Sequence, residues 1–300
     1  YLAVEGYVYK DGMYWFYMED REHFSVSFLE LEPDEAAILY VMARTFVKQS
    51  DRRDALAQAV LLKMANIMQE DLLVSFGEHL TAAARELATQ PEDADYEDVL
   101  RQLLRGYIYR RKLELIYHPY DGNEFKTIFS PYLIEPSGFG HALYVIGHSS
   151  IVDDIRTYKV DRIRHVRLRS RDQYTLPDDF PGLELLNNAF SIYHGEETIH
   201  VVLRFDSQVA RRVKESNWHR SARFEWDSEK PGHLLLHMDI ADTTDLEPWI
   251  RGWGASCEVL EPVSLRQKML QETQKLMHLY ELSAPSDDVN HDRFKDIFGD

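Results

Sequence analysis

The chain has 300 residues, and at roughly 150 residues per domain we expect two or three compact units. Hydrophobic residues make up 44% and charged residues 28%, which excludes a disordered chain. A net charge of −17 excludes a protein that coats nucleic acid over its whole surface. The single cysteine, Cys257, excludes an internal disulfide and a multi-cysteine zinc site. No apolar run is long enough for a bilayer and no signal peptide precedes residue 10, so the sequence predicts a cytoplasmic protein without a membrane partner.

The N-terminal third predicts a short hairpin followed by helices. Tyrosine-rich alternating runs flank the turn-forming segment Lys10 to Gly12, which is typical of a β-hairpin within residues 1–30. Residues 31–95 have helical spacing, and three helices fit there, the first beginning at Pro33. The chain starts at Tyr1 rather than at methionine, so we expect a fragment or a processed product.

A helix followed by about five short strands is predicted for residues 96–172. The helix begins near Tyr96, and the strands alternate apolar and polar residues between Asp, Gly and Asn turns. So short a stretch can only close on itself or form a sandwich, so we expect a small Sm-like or SH3-like β-barrel. The predicted strands are 113–118, 125–134, 141–148, 155–160 and 162–168.

Beyond a linker at 173–197, residues 198–282 follow the order βαββαβ, which indicates a ferredoxin-like unit with a terminal helix. That helix, after Pro262, is amphipathic and needs a burial partner, so we expect a homodimer. The last residues, 283–300, are polar and predict a flexible tail. The fold class predicted for the whole chain is α+β.

Basic residues are concentrated in one stretch of this acidic chain. Seven Lys and Arg residues lie between Arg156 and Arg171, with Asp161 the only acid among them. A second basic cluster lies between Arg101 and Lys112. Scattered basic residues would suffice for solubility, so this segregation predicts an anionic ligand bound locally.

The chemistry of these strands suits a nucleotide. Alternate residues of a strand share a face, so Arg156 shares a side with Tyr158, and Arg164 with Val166. A guanidinium pairs with phosphate oxygens through two hydrogen bonds, and the ring of Tyr144 or Tyr158 offers a surface on which a base can stack. The alternative is a charged, solvated strand edge that only opposes aggregation.

Two separate runs carry a family resemblance. The segments Leu143 to His148 and Ile155 to Ile163, following Pro131-Tyr132-Leu133, resemble the core of the WYL domain of bacterial transcriptional regulators. The later run, Trp249 to Pro262, resembles the C-terminal extension of that family. Leu143 replaces the tryptophan, and Val145 the leucine, of the triplet after which the domain is named.

The resemblance implies a dimeric regulator whose WYL barrel senses a nucleotide or single-stranded nucleic acid. It further implies that the hairpin within 1–30 is the remnant of a winged helix-turn-helix domain. The recognition helix would precede Tyr1 and would read operator duplex DNA.

The candidate ligand-binding residues combine the basic and aromatic side chains of these strands with a histidine at the first strand's end. They are Tyr132, Tyr144, Arg156, Tyr158, Lys159, Arg162, Arg164 and His118. Phosphate-loop, dinucleotide-binding, serine-elbow and zinc-protease motifs are absent from the sequence, so we expect no catalysis, no cofactor and no metal. The alternative hypothesis is a dimeric scaffold whose basic strands bind a partner protein.

Overall fold

The protein combines helices with three antiparallel sheets, which confirms the α+β class. Its internal contacts divide the chain into two units, residues 1–92 and 93–300. The predicted tail, 283–300, lies outside the described residues. The computed structural model describes residues 8–11, 14–17, 32–67, 74–139 and 141–280.

The first unit contains a hairpin and three helices. Strands β1 (Val8–Asp11) and β2 (Tyr14–Tyr17) pair antiparallel. The first helix begins at Pro33, a favourable position because the N–H groups of a first helical turn have no partner within the helix and proline lacks this group. The backbone N–H of Glu32 donates to the carboxylate of Glu35 at 2.9 Å. The three helices are α1 (Pro33–Gln49), α2 (Ala55–Ile67) and α3 (Val74–Ala88), and they share a core that includes Leu61, Leu80 and Leu87.

The second unit opens with helix α4 (Ala94–Ile108) and a five-stranded sheet. Asp93 caps the helix by accepting from the backbone N–H of Tyr96 at 2.9 Å, so the helix starts two residues before the predicted position. Val99 and Leu103 of this helix pack on the sheet. The sheet order is β6-β5-β4-β3-β7, from β3 (Arg111–Tyr117), β4 (Phe125–Pro136), β5 (Leu143–Ser149), β6 (Asp154–Lys159) and β7 (Ile163–Gln173).

The sheet is open, which corrects the expected closed barrel. Strands β6 and β7 are its two edges, and in the described part of the chain no ladder joins them. They are connected by a 3-10 turn, Val160–Arg162, in which Val160 is buried. This turn connects the two edge strands, β6 and β7, and is anchored by the buried Val160. A hairpin turn would instead have paired the two strands with each other.

The C-terminal part of the second unit has the predicted order βαββαβ followed by a helix. Its antiparallel sheet has the order β11-β8-β10-β9, and Trp249 and Trp253 pack on Phe205 of its own core, with ring centroids 5.8 and 5.5 Å away. Among the described residues, no helix is long and apolar enough to span a membrane. The elements are β8 (Ile199–Phe205), α5 (Ala210–Lys214), β9 (Arg223–Trp226), β10 (Leu234–Ile240), α6 (Leu246–Trp253), β11 (Cys257–Glu261) and α7 (Val263–Leu279).

The close approach of β4 and β5 depends on Gly147. A Cβ atom there would overlap the carbonyl oxygen of Ser130 and lie 2.9 Å from the ring of Phe129. We therefore expect Gly147→Ala to lower the free energy of unfolding by about 1–3 kcal/mol, because the strands must separate. Gly252→Ala, in α6 with no atom within 4 Å of the new methyl group, is the matched control and should be neutral or stabilising. Urea unfolding checks both variants, and equal midpoints would contradict this packing account.

Candidate ligand site

The site is built on one face of strands β5 and β6. Tyr144 is paired directly with Lys159, and Ile146 with Thr157, so these side chains share a face of the sheet. Tyr144 and Lys159 are both half-buried. The ammonium of Lys159 lies 3.8 Å from Asp161, too far for a tight ion pair. The strand pairing thus places a tyrosine hydroxyl and a cation side by side.

The electrostatics of Tyr144 identify its other neighbours. Burial raises the pKa of Tyr144 to about 12, and the charges of Tyr193 and Asp245 act in the same direction. The guanidinium of Arg162 acts in the opposite direction on this pKa. The hydroxyl therefore keeps its proton at neutral pH and can donate a hydrogen bond to an anionic oxygen.

Arg162 ends the 3-10 turn and is held by its backbone, because its carbonyl oxygen accepts from the N–H of His118 at 3.0 Å. Its guanidinium lies over the ring of Tyr120, 5.6 Å from the centroid, and Tyr120 is 82% exposed. Within the described ranges, no carboxylate lies within 4.0 Å of this guanidinium. Arg162 thus offers an un-neutralised cation beside an exposed aromatic ring.

Arg164 reaches solvent because of a bulge. In the pairing of β3 with β7, Tyr117 faces Ile163 and Ile116 faces His165, which leaves Arg164 as an extra residue. Ile163 and Val166 are both buried while Arg164 is exposed, so the strict alternation predicted from the sequence is wrong here. Arg164 has no ion pair within the part of the chain that the structure describes.

Two of the predicted tyrosines belong to the core. Tyr158 is only 5% exposed, its hydroxyl lies 2.8 Å from Ser149 Oγ, and its ring centroid lies 4.6 Å from that of Tyr117. Tyr132 is also buried, with the ring of Phe180 at 5.0 Å. Neither ring presents a free face, so the stacking surface expected at Tyr158 is corrected to a packing role. The alternation of residues along β6 predicted which side chains lie on the same face of the strand, but it did not show which of the two faces packs on the core.

Most of the other basic residues in the stretch 156–171 already form ion pairs with carboxylates. The guanidinium of Arg156 lies 2.7 Å from Asp154, and this pair holds the pKa of the Asp154 carboxyl below its usual range. Arg167 lies 3.1 Å from Glu114, and Arg169 is bonded to Asp172. The Arg156 pair is exposed, so it is weak and can exchange for another anion. His118, the last predicted residue, is exposed beside Arg162.

Three residues near the site were missed by sequence reasoning. Tyr193 and Asp245 lie close enough to Tyr144 to influence its pKa, and Tyr120 lies under Arg162. Tyr120 lies two residues after the predicted site residue His118, at the turn that follows the first predicted strand, and an aromatic residue at such a turn was the available signal. Tyr193 and Asp245 come from distant segments, and nothing local in the sequence links them to β5.

Models of two known families match separate parts of the chain. A WYL domain matches residues 98–168, and a WCX domain matches residues 197–277. These matches agree with the two runs that carried the resemblance in the sequence. No curated protein matches the chain.

Two solved structures are similar to the chain at low identity. One is proteasome accessory factor B/C (PafBC) of Arthrobacter aurescens, 13% identical over 87% of this chain, with a TM-score of 0.32. The chain spans only 36% of the length of that protein. The other is a CRISPR Cas-related protein, 9% identical over 85% of this chain and 88% of its own length, with a TM-score of 0.44. At these scores neither likeness carries an argument.

Proposed function

We propose that this chain, which carries a WYL domain followed by a WCX domain, is the ligand-sensing portion of a bacterial transcriptional regulator. The proposed effector is a nucleotide or a single-stranded nucleic acid bound at the WYL domain. The proposed role is non-catalytic and cytoplasmic. WYL and WCX domains are typical of ligand-sensing regulators, which supports the class of function.

The observation that carries the proposal is Arg162, which has no ion pair among the described residues and lies over the exposed ring of Tyr120, with Arg164 two residues further along the chain. Within the basic stretch 156–171, neighbouring carboxylates pair with Arg156, Arg167 and Arg169, whereas Arg162, Arg164 and Arg171 have no ion pair among the described residues. What distinguishes Arg162 is its exposed aromatic neighbour, Tyr120. A guanidinium fits phosphate oxygens with two parallel hydrogen bonds, and tyrosine rings accept bases of any sequence.

A flexible strand suits this surface better than a duplex does. Unstacked bases of a single strand can stack on Tyr144 or Tyr120, whereas the bases of a duplex are already stacked and paired. We propose that operator duplex is read instead by a helix-turn-helix domain of which the hairpin β1–β2 is the remnant. We also propose that residues 198–282 form a ferredoxin-like unit, which the sheet order β11-β8-β10-β9 supports.

The first test concerns the two free arginines. Replacing Arg162 or Arg164 with alanine should weaken the binding of a short single-stranded oligonucleotide by about 1.5–3 kcal/mol, the range for hydrogen bonds to charged groups. Lysine at either position should restore only part of the affinity, because it lacks the planar fork. Arg167→Ala is the matched control, since Glu114 already neutralises that side chain. Fluorescence anisotropy at several salt concentrations measures the affinities.

Affinity should also fall as salt rises, because bound phosphates release counterions. Unchanged binding by both alanine variants would remove the proposed phosphate role. Tight binding of a specific duplex together with indifference to single strands would place the DNA reader inside this chain. Failure of every nucleic acid to bind would favour the scaffold hypothesis.

We also propose that the protein is a homodimer, supported by an exposed apolar stripe on α1. Ile38, Val41, Met42 and Phe46 are between 46% and 63% exposed, and they recur at helical spacing. A stripe of this kind on one helix is uncommon for a surface that stays in water. It carries no charge, so two copies can bring the same stripe together about a two-fold axis without repulsion.

The dimer is tested by sedimentation of the wild type and two variants. Met42→Glu should give monomers at tens of micromolar, because a carboxylate would be buried at the two-fold contact. Leu276→Glu makes the same charge change on α7, the helix from which the sequence predicts the dimer and on which Leu270, Leu276 and Leu279 are also exposed, so it tests the alternative contact. A monomeric wild type would overturn the dimer, and loss of the dimer in Leu276→Glu alone would move the contact to α7.

A further inference from the structure

The segment between the two domains, residues 187–195, is fastened to the WCX side by backbone hydrogen bonds. The carboxylate of Asp245, just before α6, accepts from the N–H groups of Ile192 and Tyr193 at 2.7 and 3.1 Å. The carbonyl oxygen of Asn188 accepts from the N–H of Ala241 at 2.7 Å. We call residues 187–195 the clasp. Its position therefore follows any movement of the first turn of α6.

The clasp also lies against the WYL domain. The N–H of Gly138 donates to Ser191 Oγ at 2.9 Å, at the end of the β4–β5 turn. Phe139 stacks on Phe190 with centroids 5.1 Å apart. His194 lies 3.4 Å from the hydroxyl of Thr157, on the sheet face that carries Tyr144 and Lys159. The clasp thus lies against the candidate site on the WYL domain, while its backbone is hydrogen-bonded to the WCX domain.

Tyr193 lies beside the site. Burial raises the pKa of its hydroxyl, the carboxylate of Asp245 raises it further, and the guanidinium of Arg162 lowers it. Within the described residues, neither Tyr193 nor Tyr144 has an aromatic ring packed against it, in contrast to Tyr117, Tyr132 and Tyr158. Tyr193 directly precedes His194, whose ring reaches Thr157 on the sheet face that carries Tyr144 and Lys159, so the chain geometry brings Tyr193 to this face.

We propose that Tyr193 is a ligand-binding residue, and that a phosphate-bearing ligand bound between it and Arg162 fastens the WYL domain to the WCX domain through Asp245. This inference rests on the proposed function, because it takes a nucleotide or single strand as the ligand. Arg162 and Lys159 hold the phosphate, and the ring of Tyr193 holds a base. Asp245 is a positioning residue, because its Oδ2 atom accepts from the N–H groups of Ile192 and Tyr193 and so fixes the position of Tyr193.

The contact continues into the WCX core. Phe190 is buried there, with its ring centroid 5.6 Å from that of Trp249 and an edge-to-face geometry. Trp249 in turn packs on Trp218 and Trp253. A ligand that moves the clasp therefore changes the surroundings of the Trp249 indole. Tryptophan emission then reports the coupling between the ligand site and the WCX domain.

The experiment uses the full chain and a single-stranded thymidine pentanucleotide, with affinity and tryptophan emission recorded together. Tyr193→Ala should weaken binding about tenfold, and Tyr193→Phe should bind like the wild type because the ring is kept. Asp245→Asn removes a negative charge near the phosphate. A purely electrostatic role would therefore raise affinity. The positioning role lowers affinity and reduces the emission change, because the amide oxygen of Asn accepts from the N–H groups of Ile192 and Tyr193 more weakly than a carboxylate does. Trp249→Phe should bind normally with most of that change lost.

The matched control is Asp242→Asn, which makes the same charge change three residues away, at a carboxylate bonded to the N–H of Thr244 rather than to the clasp. It should leave both readouts close to wild type. Circular dichroism and the unfolding midpoint show whether each variant is folded, and a folded Asp245→Asn keeps the test decisive if Tyr193→Ala is unfolded, because the two explanations predict opposite changes in its affinity. Wild-type affinity in Tyr193→Ala, or raised affinity in Asp245→Asn, overturns the inference while Arg162→Ala still upholds the proposed function. A wild type that binds no oligonucleotide overturns both.

Discussion

The surface proposed to bind the ligand depends on how the chain passes from β6 to β7 without forming a hairpin. Val160, the first residue of the three-residue turn, and Ile163, the residue just after it, are both buried, so the backbone is anchored in the core at two points. Between them Arg162 is turned outward, and the bulge that follows releases Arg164 in the same way. The position of the half-buried Arg162 and of the exposed Arg164 is therefore set by the packing of their neighbours.

The same constraint sorts the charges of the basic stretch. Where β7 runs in register with β3, Glu114 is directly opposite Arg167 and accepts from it at 3.1 Å. Lys126 on β4 also reaches Glu114, and together these partners keep the pKa of its carboxyl below the usual range. Register thus pairs Arg167 with Glu114, whereas Arg164, the extra residue of the bulge, has no ion pair in the described part of the chain. On a chain whose net charge is −17, a small cationic region is a distinctive place for an anion.

How far the sequence predicted this arrangement depends on the range of the interactions involved. Helix and strand positions followed from periodicity and turn residues, and the start of α4 was misplaced by two residues because the cap is Asp93. Local alternation could not predict the bulge at Arg164, since a bulge is a property of the pairing between β3 and β7. Nor could alternation decide that Tyr158 faces the core while Tyr144 faces the clasp. The bond from Tyr193 to Asp245 joins residues 52 apart and exists only in the folded chain.

The measurement that tests the central claim most directly is amide hydrogen exchange of the whole chain with and without a short single-stranded oligonucleotide. If the ligand binds between the β5–β6 face, the turn at Arg162 and the clasp, exchange should slow in residues 143–146, 157–164 and 187–195 together. Protection confined to another surface, or binding of the oligonucleotide with no protection in these three segments, would contradict the account.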